Sequence, residues 1–138
     1  KNAVYGGEMS AHHYFRDFYY CDSGMIPWLL VAELMSRENT SLSSMIESYQ
    51  DRYPVSGEIN SKVKDTNFTI NTIKDHYSHE AKIIDDMDGI GMEFDNWRFN
   101  LRASNTEPLI RLNVESKNDA SLMQKKTKEL LDRINRSS

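Results

Sequence analysis

Alternating apolar and polar residues predict two neighbouring β-strands near the carboxyl end of the chain. In residues 97–102 and again in 110–115, every second side chain is apolar, which is the period of a strand with one buried face. A hairpin through the segment between the two runs would bring Arg102 and Arg111 towards one polar surface. The predicted core residues are Trp97, Phe99, Leu101, Ile110, Leu112 and Val114, and the predicted polar face is Arg98, Asn100, Arg102, Arg111, Asn113 and Glu115.

Helices are predicted in the first third of the chain. Residues 28–35 are rich in Leu, Ala and Met, and Asp22 or Ser23 precedes them as a cap, so we expect a mostly buried helix. Apolar residues at spacings of three and four predict a second, amphipathic helix over residues 42–53. Pro54 ends it, because the residue before a proline is displaced from the α region.

The remaining segments predict an antiparallel sheet packed with helices. Residues 1–20 open with a flexible turn at Gly6 and Gly7 and continue as a loop, and the chain changes character around residues 54–57, where we place a domain boundary. Beyond it the order is strand, helix, several strands, helix, which is typical of an α+β fold with a four-stranded sheet. The predicted elements are strands at 59–63, 83–84 and 92–94 and helices at 68–77 and 118–134.

Composition and charge exclude several classes of function. The 138 residues carry 17 basic and 21 acidic side chains, a formal net charge of −4, which argues against a general binder of nucleic acid or acidic membranes. The longest apolar run, residues 25–32, is too short to cross a bilayer. A single cysteine, Cys21, fits a reducing, cytoplasmic location, and a start at Lys1 indicates a piece of a longer chain.

Residues 102–108 have the composition of a phosphate-binding loop. The guanidinium of Arg102 offers a planar fork of donors, and Ser104, Asn105 and Thr106 add short donors that do not crowd an anion. Each charge-assisted hydrogen bond contributes roughly 1.5–3 kcal/mol. The same residues also suit an ordinary hairpin loop, so composition leaves both interpretations open.

A second candidate site lies in residues 6–13. Glu8, Ser10 and His12 alternate on a glycine-preceded loop, where a carboxylate, a hydroxyl and an imidazole can bind the hydroxyls of a polyol. A merely solvated loop is the alternative. Two other polar groups are interpreted as structural: the acidic run 85–89 as a turn rather than a metal site, and His76 with His79 as a surface pair.

Taken together, the segments GGEMSAHH at 6–13 and RASNTEP at 102–108 resemble the α-D-phosphohexomutase superfamily, in its bacterial phosphomannomutase branch. The resemblance continues through residues 14–18, 21–35, 56–63 and 111–116. It implies that residues 1–54 are the helical end of a third, α/β/α sugar-binding domain. Residues 55–138 are then a fourth, phosphate-binding domain similar to the TATA-box-binding protein in fold. Because the helices of the third domain would lack their parent sheet, we expect the apolar face around Trp28 to Val31 to be exposed.

The resemblance also implies a reaction and a division of roles. The complete enzyme would interconvert mannose 6-phosphate and mannose 1-phosphate through a phosphoserine and a bisphosphorylated sugar. Glu8, Ser10 and His12 would bind the sugar, with the choice between His12 and His13 left open. The phosphate that is not reacting would be bound by Arg102, Ser104, Asn105 and Thr106. Arg111, which the strand pattern brings towards the same polar surface, is a further candidate phosphate ligand.

The resemblance also implies which cofactors and partners the complete enzyme would have. The catalytic serine and the magnesium loop of the superfamily lie upstream of this segment, so the chain by itself is expected to be inactive and to bind no cofactor. The complete enzyme would use Mg²⁺ and a hexose 1,6-bisphosphate activator. The expected partners are a phosphorylated hexose, either mannose or glucose phosphate, and the upstream domains, with no nucleic acid and no membrane. The alternative function is a standalone phosphosugar- or anion-binding module.

Overall fold

The computed structural model describes residues 2–8, 10–104 and 106–137 and divides the chain into two compact units, Lys1–Ile46 and Glu47–Ser138. Each unit is described by itself. Within the described residues, no helix combines the length and the apolar character needed to span a membrane. The division into domains at residues 54 and 55 stays a prediction.

The first unit begins with a small β-hairpin. Strands β1 (Tyr5–Gly7) and β2 (His13–Phe15) pair antiparallel, with Gly7 opposite His13. A 3-10 helix follows at Arg16–Phe18. The prediction of a flexible turn at Gly6 and Gly7 within a loop is therefore wrong. Both glycines are extended in β1, because the aromatic rings of Tyr5 and Phe15 pack 5.1 Å apart across the strands and stabilise the pairing.

The next two elements are helices α1 (Met25–Glu38) and α2 (Leu42–Arg52). The prediction that the first helix is mostly buried is wrong: no described residue of α1 is buried, and Trp28 is 62% exposed. A hairpin of two three-residue strands offers too little apolar surface to cover such a helix. The cap prediction is corrected in part: Gly24 is the N-cap residue and makes no side-chain cap bond, but Ser23 Oγ accepts a hydrogen bond from Ile26 N in the first turn at 3.4 Å.

The second unit is a five-stranded antiparallel sheet with helices on one face, which confirms the α+β class. The strand order is β3, β7, β6, β5, β4. The sheet has five strands rather than four because the short segment of residues 83–85 pairs with β5, placing Ile84 opposite Met92. The elements are β3 (Ile59–Lys62), α3 (Thr66–Tyr77), β4 (Ile83–Asp85), β5 (Ile90–Glu93), β6 (Trp97–Ala103), β7 (Leu109–Ser116) and α4 (Ala120–Arg136).

The core lies between one face of the sheet and helices α3 and α4. Both helices begin at an aspartate that accepts a hydrogen bond from the backbone, Asp65 from Phe68 N and Asp119 from Leu122 N. All six apolar positions predicted for β6 and β7 are buried. Since strand side chains alternate, this burial forces the arginines of both strands to the opposite, open face of the sheet. The helical core residues include Ile73, Tyr77, Leu130 and Ile134.

Candidate functional site

The hairpin of β6 and β7 places two arginines side by side. Arg102 and Arg111 are direct cross-strand partners, and both lie on the polar face of the sheet. Arg111 is further distinguished by its Nε atom, which is buried and has no hydrogen-bond partner within the part of the chain that the structure describes. Two adjacent guanidinium groups provide the planar donors that a phosphate group requires.

Two carboxylates face this arginine pair. Glu58 lies between the guanidinium groups, with Oε2 3.6 Å from Arg102 Nη2 and Oε1 3.8 Å from Arg111 Nη1. On the other side of Arg102, Asp88 Oδ2 lies 3.8 Å from Nη1. These separations exceed hydrogen-bonding distance, so the carboxylates balance the charge of the arginines without occupying their donors in short bonds.

Glu58 and Asp88 are the residues that sequence reasoning missed at this site. Glu58 comes directly before β3, and Asp88 lies in the turn between β4 and β5. Their approach to the arginines depends on the order of strands in the sheet, which has no local signature in the sequence. One signal in the sequence was available. Glu58 lies inside the segment 56–63, which contributes to the family resemblance, but the resemblance was not used to assign Glu58 a function.

Gly89 fixes the backbone next to Arg102. Its φ of +69° lies in the left-handed region, and a Cβ atom added there would be 2.4 Å from the carbonyl oxygen of Leu101 and 2.7 Å from the Cα of Arg102. The turn is also held from β6, because Asn100 Nδ2 donates to the carbonyl oxygens of Asp88 and Ile90 at 3.3 and 3.4 Å. Only glycine permits this close approach of the two backbones.

The loop after Arg102 carries two of the predicted hydroxyl ligands. The hydroxyls of Ser104 and Thr106 lie 3.4 Å apart, and the amide of Thr106 approaches Ser104 Oγ at the same distance. The loop is closed by Ser104 N, which donates to Leu109 O at 2.9 Å. Asn105, the remaining predicted ligand, lies outside the described residues.

The candidate site is defined by the two arginines rather than by a cavity. A neighbouring cavity of about 360 Å³ on the same sheet face is lined by Asp88, Asn100 and ten other residues, but neither Arg102 nor Arg111 is among them. We therefore place the candidate site by the chemistry of the arginines. In the part of the chain described, no group of three or more His, Cys, Asp or Glu residues is arranged to hold a metal ion.

The second candidate site lies in the turn between β1 and β2. Glu8 accepts hydrogen bonds on both carboxylate oxygens, from Tyr14 OH at 2.7 Å and from Ser10 Oγ at 3.1 Å. The hydrogen bond from Tyr14 is the main reason that the pKa of Glu8 is held below its ordinary value, and the bond from Ser10 acts in the same direction. The backbone closes the turn through Glu8 N to His12 O at 2.9 Å, and Ala11 takes a φ of 64° there.

The two histidines of this turn have different partners. The Nδ1 atom of His12 lies 2.6 Å from Asp22 Oδ2, whereas Nδ1 of His13 contacts the hydroxyl of Tyr5 at 2.7 Å. The hydrogen bond with Asp22 raises the pKa of His12 and lowers that of Asp22. Glu8, Ser10 and His12 are thus brought together in one turn, while Tyr14 and Asp22 are partners that the sequence reasoning did not assign. The ligand roles of all these residues stay predictions.

Comparison with known proteins assigns the class. Residues 1–53 match the family model described as phosphoglucomutase/phosphomannomutase, alpha/beta/alpha domain III. Residues 58–132 match the model for the C-terminal domain of the same enzymes. The chain therefore belongs to the phosphoglucomutase/phosphomannomutase family, as the resemblance had implied.

Individual relatives agree. The chain is 56% identical over 135 residues to a phosphomannomutase of Escherichia coli K12, covering 98% of this chain and 30% of that protein. It is 55% identical over 130 residues to a protein named phosphohexose mutases from Xanthomonas campestris, covering 94% of this chain and 29% of the relative. A solved phosphoglucomutase/phosphomannomutase family protein from Burkholderia thailandensis superposes with a TM-score of 0.66 at 25% identity, covering 96% of this chain and 29% of the other. The chain thus spans about 30% of the length of these relatives.

Proposed function

We propose that this chain is the substrate-binding, C-terminal part of a phosphomannomutase that interconverts mannose 6-phosphate and mannose 1-phosphate. The observation that supports it most is the cross-strand pair of Arg102 and Arg111 beside the hydroxyls of Ser104 and Thr106, in a chain of this family. The pair is the described feature best suited to a phosphate dianion.

The arginine pair suits a ligand that carries two negative charges. Arg102, Arg111, Glu58 and Asp88 together sum to a formal charge of zero, so the two carboxylates offset the charge of the arginines when no ligand is bound. A phosphate at hydrogen-bonding distance competes favourably with carboxylates that stand 3.6–3.8 Å away, because charge-assisted hydrogen bonds weaken with distance. Ser104 and Thr106 then donate to the remaining oxygens.

The turn between β1 and β2 suits the hydroxyls of the sugar. The carboxylate of Glu8 accepts from Tyr14 and Ser10 in this structure, and each oxygen retains a further lone pair for a sugar hydroxyl. The hydroxyl of Ser10, whose proton is donated to Glu8, adds an acceptor, and the Nε2 atom of His12 adds a donor or an acceptor. These groups would recognise the positions of the sugar hydroxyls, whereas the arginine hairpin, the β6–β7 hairpin with Arg102 and Arg111, would recognise the charge of the phosphate.

In the proposed reaction this chain contributes positioning. A phosphoserine elsewhere in the complete protein transfers its phosphoryl group to the sugar, and the bisphosphorylated sugar turns around before the reverse transfer. The arginine hairpin holds whichever phosphate is not reacting, in both orientations of the sugar. Such positioning reduces the entropy that each transfer must overcome.

The proposal extends to Mg²⁺ and a hexose 1,6-bisphosphate activator for the complete protein. The described residues do not fit the metal, because no cluster of three or more of its usual ligands occurs in residues 2–8, 10–104 and 106–137. We propose that the metal binds in other parts of the complete protein.

Phosphorus NMR tests this function directly. The complete protein, given mannose 1-phosphate, Mg²⁺ and a hexose 1,6-bisphosphate, should produce the resonance of mannose 6-phosphate. The 138-residue chain alone should not, at any concentration. Conversion by the chain alone, or no conversion by the complete protein, would contradict the proposal.

Replacement of Glu8 by glutamine should reduce recognition of the sugar selectively. Because the carboxylate is proposed to accept from hydroxyls, Glu8→Gln in the complete protein should weaken binding of mannose 1-phosphate roughly tenfold. Binding of inorganic phosphate, which has no sugar hydroxyls, should change by less than a factor of about two. Isothermal titration calorimetry measures both.

The matched control is Glu33→Gln, which makes the same chemical change at an exposed position of α1. It should leave both affinities unchanged. An equal loss of affinity for mannose 1-phosphate and inorganic phosphate in Glu8→Gln would show that Glu8 does not read hydroxyls.

A further inference from the structure

We propose that Asp22 is a positioning residue that fixes the ring of His12 with the proton on Nδ1, so that Nε2 is the atom presented to a ligand. The orientation and protonation of the ring follow from the geometry of this chain alone. Only the identity of the ligand at Nε2, a sugar hydroxyl, rests on the proposed function.

The carboxylate of Asp22 is held by two different groups. Its Oδ2 lies 2.6 Å from Nδ1 of His12, and its Oδ1 accepts from the backbone amide of His13 at 3.0 Å. The backbone around it is also tied to β2, since Asp22 bridges to Tyr14 and Ser23 N donates to His13 O at 3.0 Å. The carboxylate therefore has a fixed place from which to orient the ring.

The chemistry of the pair determines which nitrogen carries the proton. An ionised carboxylate only accepts hydrogen bonds, so Nδ1 of His12 must be the donor. When the ring is neutral, Nε2 is an acceptor, and when the ring is protonated, Nε2 is a donor. In both states Nδ1 stays protonated, and the change in hydrogen bonding is confined to Nε2.

Charge around the ring favours its protonated form. The charged groups that face His12 are Asp22 and, more weakly, Glu8, and the hydrogen bond with Asp22 is the main reason that the pKa of His12 is raised. A raised pKa means that the bond stabilises the folded unit fully below the ordinary pKa of histidine. This contribution is lost as the pH rises through the raised value.

His12 and Asp22 are about half exposed, so we expect that Asp22 can be replaced without unfolding the protein. The side chains of His12 and Asp22 are 51% and 45% exposed, and ion pairs at such positions add little to the stability of a protein. Asp22→Ala and Asp22→Asn should therefore leave the thermal unfolding transition of the complete protein close to that of the native sequence. The orientation of the His12 ring should change nonetheless.

Long-range ¹H–¹⁵N correlation spectra of the histidine rings test the proposal in the complete protein. In the native sequence, the neutral His12 ring should carry its proton on Nδ1. Asp22→Ala removes both acceptors, so the neutral ring should shift to the Nε2-protonated form that free imidazole side chains prefer, and its pKa should fall. Asp22→Asn keeps an acceptor without the charge, so the pKa should fall while the proton stays on Nδ1.

The control is Asp17→Ala, which removes a neighbouring exposed carboxylate that is paired with Arg16. It should leave the ring of His12 unchanged. A folded Asp22→Ala variant in which Nδ1 of His12 is still protonated and the pKa is unaltered would overturn the proposal.

A titration with mannose 1-phosphate separates this inference from the function on which it rests. Asp22→Ala should weaken binding about fivefold if Nε2 contacts the sugar. If the ring changes its protonation but the affinity does not, the role of Asp22 stands and the proposed contact between His12 and the sugar is wrong.

Discussion

Replacement of Arg102 by alanine is expected to weaken the binding of mannose 1-phosphate to the complete protein by roughly 10- to 100-fold, which corresponds to the loss of about one charge-assisted hydrogen bond. The arginine lies on the polar face of β6, directly opposite Arg111, and no described side chain bonds it at short distance. Its removal leaves Glu58 and Asp88 facing a single guanidinium, so the site becomes net negative and repels a phosphate. Turnover should fall with affinity, because the unreacting phosphate is no longer held.

Arg98 provides the matched control for this prediction. It lies on the same strand and the same face, but its guanidinium is engaged by Glu115 at 2.8 and 2.9 Å. Arg98→Ala should change the affinity for mannose 1-phosphate by no more than about twofold. Titration calorimetry on both variants decides the matter, and equal losses at the two positions would place the phosphate elsewhere on the sheet.

Replacement of Gly89 by alanine is expected to lower the free energy of unfolding by about 2–5 kcal/mol. It should also weaken phosphate binding. The left-handed conformation costs a side chain about 1–2 kcal/mol, and overpacking costs about 1–3 kcal/mol more. The added Cβ would lie 2.4 Å from Leu101 O and 2.7 Å from Arg102 Cα, both of them backbone atoms that cannot rotate away. The strand that carries Arg102 must therefore shift.

Gly57→Ala separates the two costs. Gly57 has the same φ of +69°, but an added Cβ there meets no atom within 4 Å. This variant should lose only about 1–2 kcal/mol and keep its affinity for phosphate. Urea denaturation gives both free energies, and equal losses would show that the contact between Gly89 and β6 does not position Arg102.

The sequence predicted the arginine pair because a strand has only two faces. Once Phe99, Leu101, Leu112 and Val114 are assigned to the core, the positions between them must lie opposite, and one hairpin then aligns Arg102 with Arg111. The pattern within each strand was sufficient, and no information about other strands was needed.

The pattern within single strands did not predict the contacts of Glu58, Asp88 and Asp22, and the reason is the same for all three. Each meets its partner across a contact between segments that are far apart in the sequence or joined by an irregular turn. Asp22 was interpreted as a helix cap, a role its residue type suits equally well, and the structure instead pairs it with His12. The pattern alone predicted α1 as mostly buried, because periodicity shows which residues are apolar but not what covers them. The expectation that the apolar face around Trp28 to Val31 is exposed is confirmed, since Trp28 is 62% and Leu29 56% exposed.

The most direct test of the central claim is a ¹H–¹⁵N titration of the complete protein with mannose 1-phosphate, recording backbone amides and arginine Nε groups. We predict that the largest shifts fall on Ser104, Thr106 and the side chains of Arg102 and Arg111, and that inorganic phosphate shifts the same signals. Saturable binding that leaves these four residues unperturbed would contradict the assignment of the hairpin as the phosphate site.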